Sequence, residues 1–188
     1  MLKRTCLLLL MVVVGLLAQA QNADKVYDQY LDFNLARLQN EQDKAMDIGE
    51  KILPDTLKLP QKVRISYYNS MAKLYEDGGQ SVKAIAFYKM VIAAQPNYYV
   101  AHRALGYLLI KGIADKAPNA EIKDEADIAK VKNALPHLEK AQACDPDDNT
   151  LILIKSLYQN IKDDKVLDTL PARLEKLKKN CEDILSDQ

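Results

Sequence analysis

Residues 65–98 read ISYYNSMAKLYEDGGQSVKAIAFYKMVIAAQPNY, and the spacing of large and small side chains in this stretch decides the fold. Within Val63 to Tyr75, the residues Ile65, Tyr68, Met71, Ala72 and Tyr75 recur every three or four positions, which gives a helix one apolar face. Asp77-Gly78-Gly79 stops that helix, as paired glycines do. A second helix is predicted from Ser81, a good N-cap residue, with Ala84, Ile85, Tyr88, Val91 and Ile92 at the same period. It ends at Gln95-Pro96-Asn97. The stretch is one helix hairpin of 34 residues. No alternating run bounded by turns argues for a strand anywhere, so the chain is expected to be all-α.

The next 34-residue register opens at Tyr99 and repeats the pattern. His102, Leu105, Gly106 and Leu109 stand where Tyr68, Met71, Ala72 and Tyr75 stood, and Ala134, Leu138, Ala141 and Pro146 answer Ala84, Tyr88, Val91 and Pro96. These are the slots of a tetratricopeptide repeat, which the two registers resemble: small residues let paired helices approach, and large ones fill the gap to the next hairpin. The resemblance implies a right-handed superhelix of antiparallel helix hairpins, an α-solenoid of about three to four repeats. Only Val91 is larger than the pattern prefers.

The second register holds 16 residues more than a repeat needs, an insert near 111–131. It opens with the turn Ala117-Pro118-Asn119 and continues as a charged amphipathic stretch, Glu121 to Lys132, that is expected to be helical. Pro136 is expected close to the start of the following helix, where a missing N–H costs little, or at a kink if insert and helix are continuous. The flanks are degenerate. Residues 23–54 read as one pair, with Val26 to Leu38 against Asp43 to Leu53, and Leu59-Pro60 belongs to the linker after it. Residues 149–185 read as another, with Leu151 to Tyr158 as a first helix in which Lys155 and Ser156 replace the Leu-Gly signature. Pro171 to Leu185 is expected to close the chain as a charged capping helix.

The first twenty residues belong to a different object. Lys3 and Arg4 precede an apolar run, Leu7 to Leu17, broken only by Gly15, and Ala18-Gln19-Ala20 follows. A basic start, an apolar stretch too short for a bilayer and an A-x-A end read as a cleaved secretory signal peptide over 1–20, leaving one repeat domain over 21–188. Cys6 precedes the apolar run, where no lipidated cysteine would stand. Removing the signal leaves 24 basic against 26 acidic residues. That balance argues against a generic nucleic-acid partner, which needs a basic excess or stripe. No later segment is long and apolar enough to span a membrane, so no membrane insertion is expected after cleavage.

Export leaves Cys144 and Cys181 as a candidate disulfide, since two cysteines in an oxidising compartment are able to pair. The alternative is two separate thiols on different helices, because the Cα separation that bonding requires is not written in the sequence.

No catalytic motif occurs: there is no phosphate-binding glycine loop, no H-E-x-x-H and no G-x-S-x-G. Asp145-Pro146-Asp147-Asp148-Asn149 imitates a calcium loop, but Thr150 stands where Gly is needed and Ser156 where Glu is needed. It reads as a repeat-ending Asp-Pro and a helix cap. His102 and His137 read as a packing and a surface histidine, short of the three or four ligands zinc requires. Catalytic, metal and cofactor sites are therefore not expected. Family geometry implies that the concave face carries Ser66, Asn69, Lys73, Glu76 and Asp77, then Val100, Arg103, Tyr107, Ile110 and Lys111. Asn69, Lys73 and Arg103 suit a peptide carboxylate, Tyr107 offers a stacking surface and Lys111 adds a cation. The alternative is an ordinary solvated face. The resemblance therefore implies a non-enzymatic adaptor, expected to bind a protein or peptide in the periplasm or outside the cell. The rival is a small-molecule or glycan carrier with Tyr67, Tyr99 and Tyr107 ringing a pocket.

Overall fold

The structure, a computed structural model, describes residues 24–113 and 120–184. The expected signal peptide, the Ala117-Pro118-Asn119 turn and Leu185 lie outside the described residues. The described chain is helical throughout, and its one strand-like contact is an isolated parallel bridge between Tyr98 and Glu182. Among the described residues no helix is long and apolar enough to cross a membrane. The chain falls into two compact units, the first ending at Tyr67 and the second beginning at Tyr68.

In the first unit, α1 (24–38) is followed by α2 (Gln42–Ile52), a 3-10 turn (Leu53–Lys58) and the opening of α3 (Gln61–Asp77). Asn40, at φ 58°, makes the turn between α1 and α2, where Asn tolerates the left-handed region better than other side chains. Val26, Tyr30, Phe33 and Ala36 are buried along one stripe of α1. Tyr67 is the centre of this unit: it is fully buried, its ring lies 5.5 Å from that of Phe33, and its hydroxyl donates to Gly49 O at 2.7 Å. That hydroxyl satisfies an interior carbonyl, so Tyr67 packs in the core of this unit.

The second unit continues with α4 (Ser81–Ala94), α5 (Tyr99–Leu109), α6 (Glu125–Cys144), α7 (Asp148–Asn160), a 3-10 turn (Asp164–Thr169) and α8 (Leu170–Lys178). Gly79, at φ 71°, carries the chain out of α3. Ser81 is the first helical residue of α4 and Gln80 its cap, one position from the expected place. Phe87 meets the rings of Tyr68 and Tyr75 at 5.9 and 5.4 Å.

The helix α6 packs on α5, α7 and α8. Gly106 and Leu138 set how closely α5 and α6 approach. A Cβ on Gly106 would stand 2.7 Å from Leu138 Cδ2, so any larger residue here requires Leu138 to shift. Ile110, Val131, Ala134, Leu135, Leu138, Ile154 and Leu157 form the core behind it.

One expectation about the insert is corrected, and one alternative is decided. Residues 120–124 are not helical. Asp124 caps α6, accepting from Asp127 N at 2.9 Å, so the helix starts at Glu125 rather than Glu121. It then runs without a break to Cys144, so of the two readings of Pro136 the continuous helix holds, with the proline in its interior. An interior proline loses one backbone bond and costs about 3 kcal/mol. The burial of Leu135, Leu138 and Ala141 beside it supplies a compensating term of similar size.

The C-terminal expectation is corrected too. The last helix ends at Lys178, and the chain turns back: Glu182 N donates to Asn97 O at 3.0 Å. Cys144 and Cys181 are joined in a disulfide, with Cα atoms 5.5 Å apart.

Candidate functional site

A cleft of about 390 Å³ lies in the second unit, and its walls include Glu76 of α3, Tyr107 and Leu108 of α5, Ile110 and Lys111 just beyond it, and Leu153 of α7. Tyr107 is 39% exposed and so presents much of its ring to the opening. Lys111 is exposed, while Ile110 is almost fully buried and contributes floor rather than an accessible wall.

The Tyr107 ring is held from behind. Thr150 Oγ1 donates to Asp147 Oδ1 at 2.8 Å, so its lone pair receives the Tyr107 hydroxyl at 3.0 Å, making Tyr107 the donor. The same carboxylate caps α7, accepting from Thr150 N at 2.7 Å, and that bond holds the Asp147 carboxyl below its usual range. Asp147 is therefore occupied as a helix cap, and Asp145 is occupied as described next. Neither is free to form a calcium loop.

The other predicted groove residues are mostly engaged with their own chain. Lys73 pairs with Asp77 at 2.6 Å, one helical turn away, and that hydrogen bond raises its pKa. Arg103 reaches across to the end of α6: it donates to Asp145 Oδ2 at 2.9 Å, to the Asp145 carbonyl and, at 3.5 Å, to Ala141 O. It thus tethers α5 to the last carbonyls of α6, a place where a cation also meets the helix dipole favourably. Asn69 donates to the Tyr98 hydroxyl at 3.5 Å. Its Oδ1 and the Arg103 Nε are buried without a hydrogen-bond partner among the described residues. Burial pushes the Tyr98 hydroxyl up to about 12. Glu76 accepts from Tyr88 Oη at 2.8 Å, and desolvation together with that carboxylate raises the Tyr88 pKa. Ser66 belongs to the first unit, where Tyr30 donates to it at 3.3 Å. Tyr99 is half-buried and Val100 is exposed. The structure thus brings Glu76, Tyr107 and Lys111 to one cleft, while Lys73 and Arg103 are spent on structural ion pairs.

His137 is not a surface histidine. Its Nδ1 stands 2.8 Å from His102 Nδ1, and both rings are half-buried. His102 Nε2 lies 3.1 Å from the Pro96 carbonyl, which only accepts, so Nε2 carries the proton. The His102 Nδ1 then holds a lone pair, and His137 Nδ1–H donates to it. Desolvation lowers both pKa values, that of His137 to about 4. Among the described residues no three His, Cys, Asp or Glu side chains gather as a metal would need.

Sequence reasoning missed a buried charge network. Glu139 is 4% exposed on α6 and accepts from Arg173 Nη2 at 2.7 Å, Arg173 Nε at 3.0 Å and Tyr158 Oη at 2.6 Å. The available signal was a carboxylate next to Leu138 on the apolar stripe of α6. No protein-family model, curated protein or solved structure matches this chain.

Proposed function

We propose that the chain is an exported, non-enzymatic adaptor of the cell envelope, binding a protein or peptide in the groove of tetratricopeptide-like repeats. In this reading α3 from Ile65 with α4, then α5 with α6, then α7 with α8 are successive hairpins. The right-handed superhelical stack, the signal peptide and the periplasmic location are parts of the same proposal.

One observation carries it. The cleft draws its walls from α3, from α5 with the turn after it, and from α7, and five of its seven lining residues stand at positions the repeat assigns to its concave face, Leu108 and Gly112 being the others. Counting each 34-residue register from Ile65, Tyr99 and Asn149, Glu76 is position 12, Tyr107, Ile110 and Lys111 are positions 9, 12 and 13, and Leu153 is position 5. An apolar floor, one presented aromatic ring and a cation at the edge suit an extended peptide with an apolar anchor and an acidic neighbour. The pairing of Lys73 with Asp77 and of Arg103 with Asp145 favours this anchor over a carboxylate clamp.

Affinity capture from the envelope fraction, run in parallel with the chain and with a Tyr107→Ala, Lys111→Glu variant, tests the reading. A stoichiometric protein lost with the variant supports the groove. A partner held equally by both removes the groove from the account.

A further inference from the structure

A second and larger cavity in this unit, of about 890 Å³, is walled by α5, α6, α7, α8 and the segment that follows α8. Its volume falls in the range of sites that hold drug-sized ligands. Its charge is one-sided. The walls carry four cations, Lys140, Arg173, Lys176 and Lys179, and one carboxylate, Glu139. That carboxylate is consumed by Arg173 and Tyr158.

Lys140 is the informative member. The residue is only 6% exposed, yet its ammonium bonds to neutral oxygens alone: Asn97 Oδ1 at 3.2 Å, Leu177 O at 3.4 Å and Asn180 O. A buried ammonium without a carboxylate is costly, and desolvation lowers the Lys140 pKa, so an anion brought beside it is favoured as the missing partner. Lys176 and Lys179 are exposed at the rim, and neither they nor Lys140 has an ion pair among the described residues. Glu182, close enough to act on Lys140 through space, has its carboxylate engaged by Gln95 Nε2. Carbon surface from Pro136, Leu177 and the Tyr158 ring completes the walls.

We propose that this cavity binds a small organic anion, with a carboxylate, phosphate or sulfonate head on an apolar body. The head lies toward Lys140, Lys176 and Lys179, and the body rests against Pro136 and Leu177. A low-dielectric concave wall focuses the lysine field, which selects anions over neutral molecules of the same shape.

Fluorescence titration of the purified chain with 8-anilinonaphthalene-1-sulfonate tests this, with N-phenyl-1-naphthylamine as the neutral analogue. The expected result is one saturable site per chain that binds the neutral analogue at least about tenfold more weakly. Lys176→Glu with Lys179→Glu, both at exposed positions, weakens the sulfonate by about tenfold or more. The charge-matched Lys51→Glu with Lys62→Glu in the first unit changes it less than about twofold. Lys140→Met, checked by circular dichroism for retained helix, weakens it likewise. Absence of a saturable site, equal binding of the neutral analogue, or indifference to the Lys176 and Lys179 reversals overturns the proposal.

Discussion

Gly106 in α5 faces Leu138 in α6 so closely that a methyl on Gly106 would lie within 2.7 Å of Leu138 Cδ2 and 2.8 Å of its Cγ. Leu138 is fully buried and cannot move aside without disturbing the core behind it. Gly106→Ala therefore lowers unfolding stability by about 1–3 kcal/mol from overpacking, less up to about 1 kcal/mol from better helix propensity. Leu138→Ala opens space at that contact, so the double variant loses less than the sum of the singles. Urea unfolding of the four proteins measures both effects. Additive losses would mean that the two residues do not limit the approach of α5 to α6.

The histidine pair makes stability depend on pH. Both imidazoles have lowered pKa values in the folded chain, that of His137 about 4, against 6.5 when unfolded. Below 6.5 the unfolded chain binds more protons than the folded one, so stability falls as the pH drops from about 6.5 towards 4 and is unaffected above that window. Thermal melts from pH 7.5 to 4.5 on the native chain and on His102→Gln with His137→Gln isolate this part from the carboxylates. The variant is expected to have the shallower decline in Tm. Parallel declines would show that the pair is not neutral and mutually bonded.

The disulfide closes a loop of sequence separation 37 between the end of α6 and the segment after α8. Chain entropy alone gives it about 4 kcal/mol, as one model of how such links act. Cys144→Ser with Cys181→Ser lowers the urea midpoint accordingly, and peptide mapping without reductant recovers the two cysteine peptides linked. Separate peptides would contradict the bond.

Glu139 is held by Arg173 and Tyr158 while almost wholly buried. Arg173→Met leaves that carboxylate with one partner and costs about 3 kcal/mol or more. Replacing both, as Arg173→Met with Glu139→Leu, costs less than the single change because no charge is stranded. Urea denaturation at pH 7 decides, and the reverse order would mean that Glu139 is not desolvated.

The sequence made the short helices legible, because periodic apolar residues and Gly or Pro punctuation specify α3, α4, α5 and α7 locally. It was undecided or misleading where distant packing prevailed. Pro136 leaves a helix start and a continuous helix both open in the sequence, and the core around Leu135 and Leu138 decides for continuity by carrying α6 through it. The end of the chain looks like more helix, yet backbone pairing with Asn97 and the bond to Cys144 turn it back. The groove residues show the same division. The Lys73–Asp77 pair is four residues apart and readable on a helix face, whereas Arg103 finds Asp145 and Tyr107 finds Thr150 more than 40 positions away. Local pattern carries no information about such partners.

Site-specific photocrosslinking within the producing cells tests the adaptor reading most directly. A benzophenone amino acid is placed at Val100, Tyr107 or Lys111, and at Lys51 in the first unit as control. The account predicts a discrete protein adduct of constant size from Tyr107 and Lys111, absent from Lys51. No protein adduct from any groove position, or the same adducts from Lys51, would contradict it.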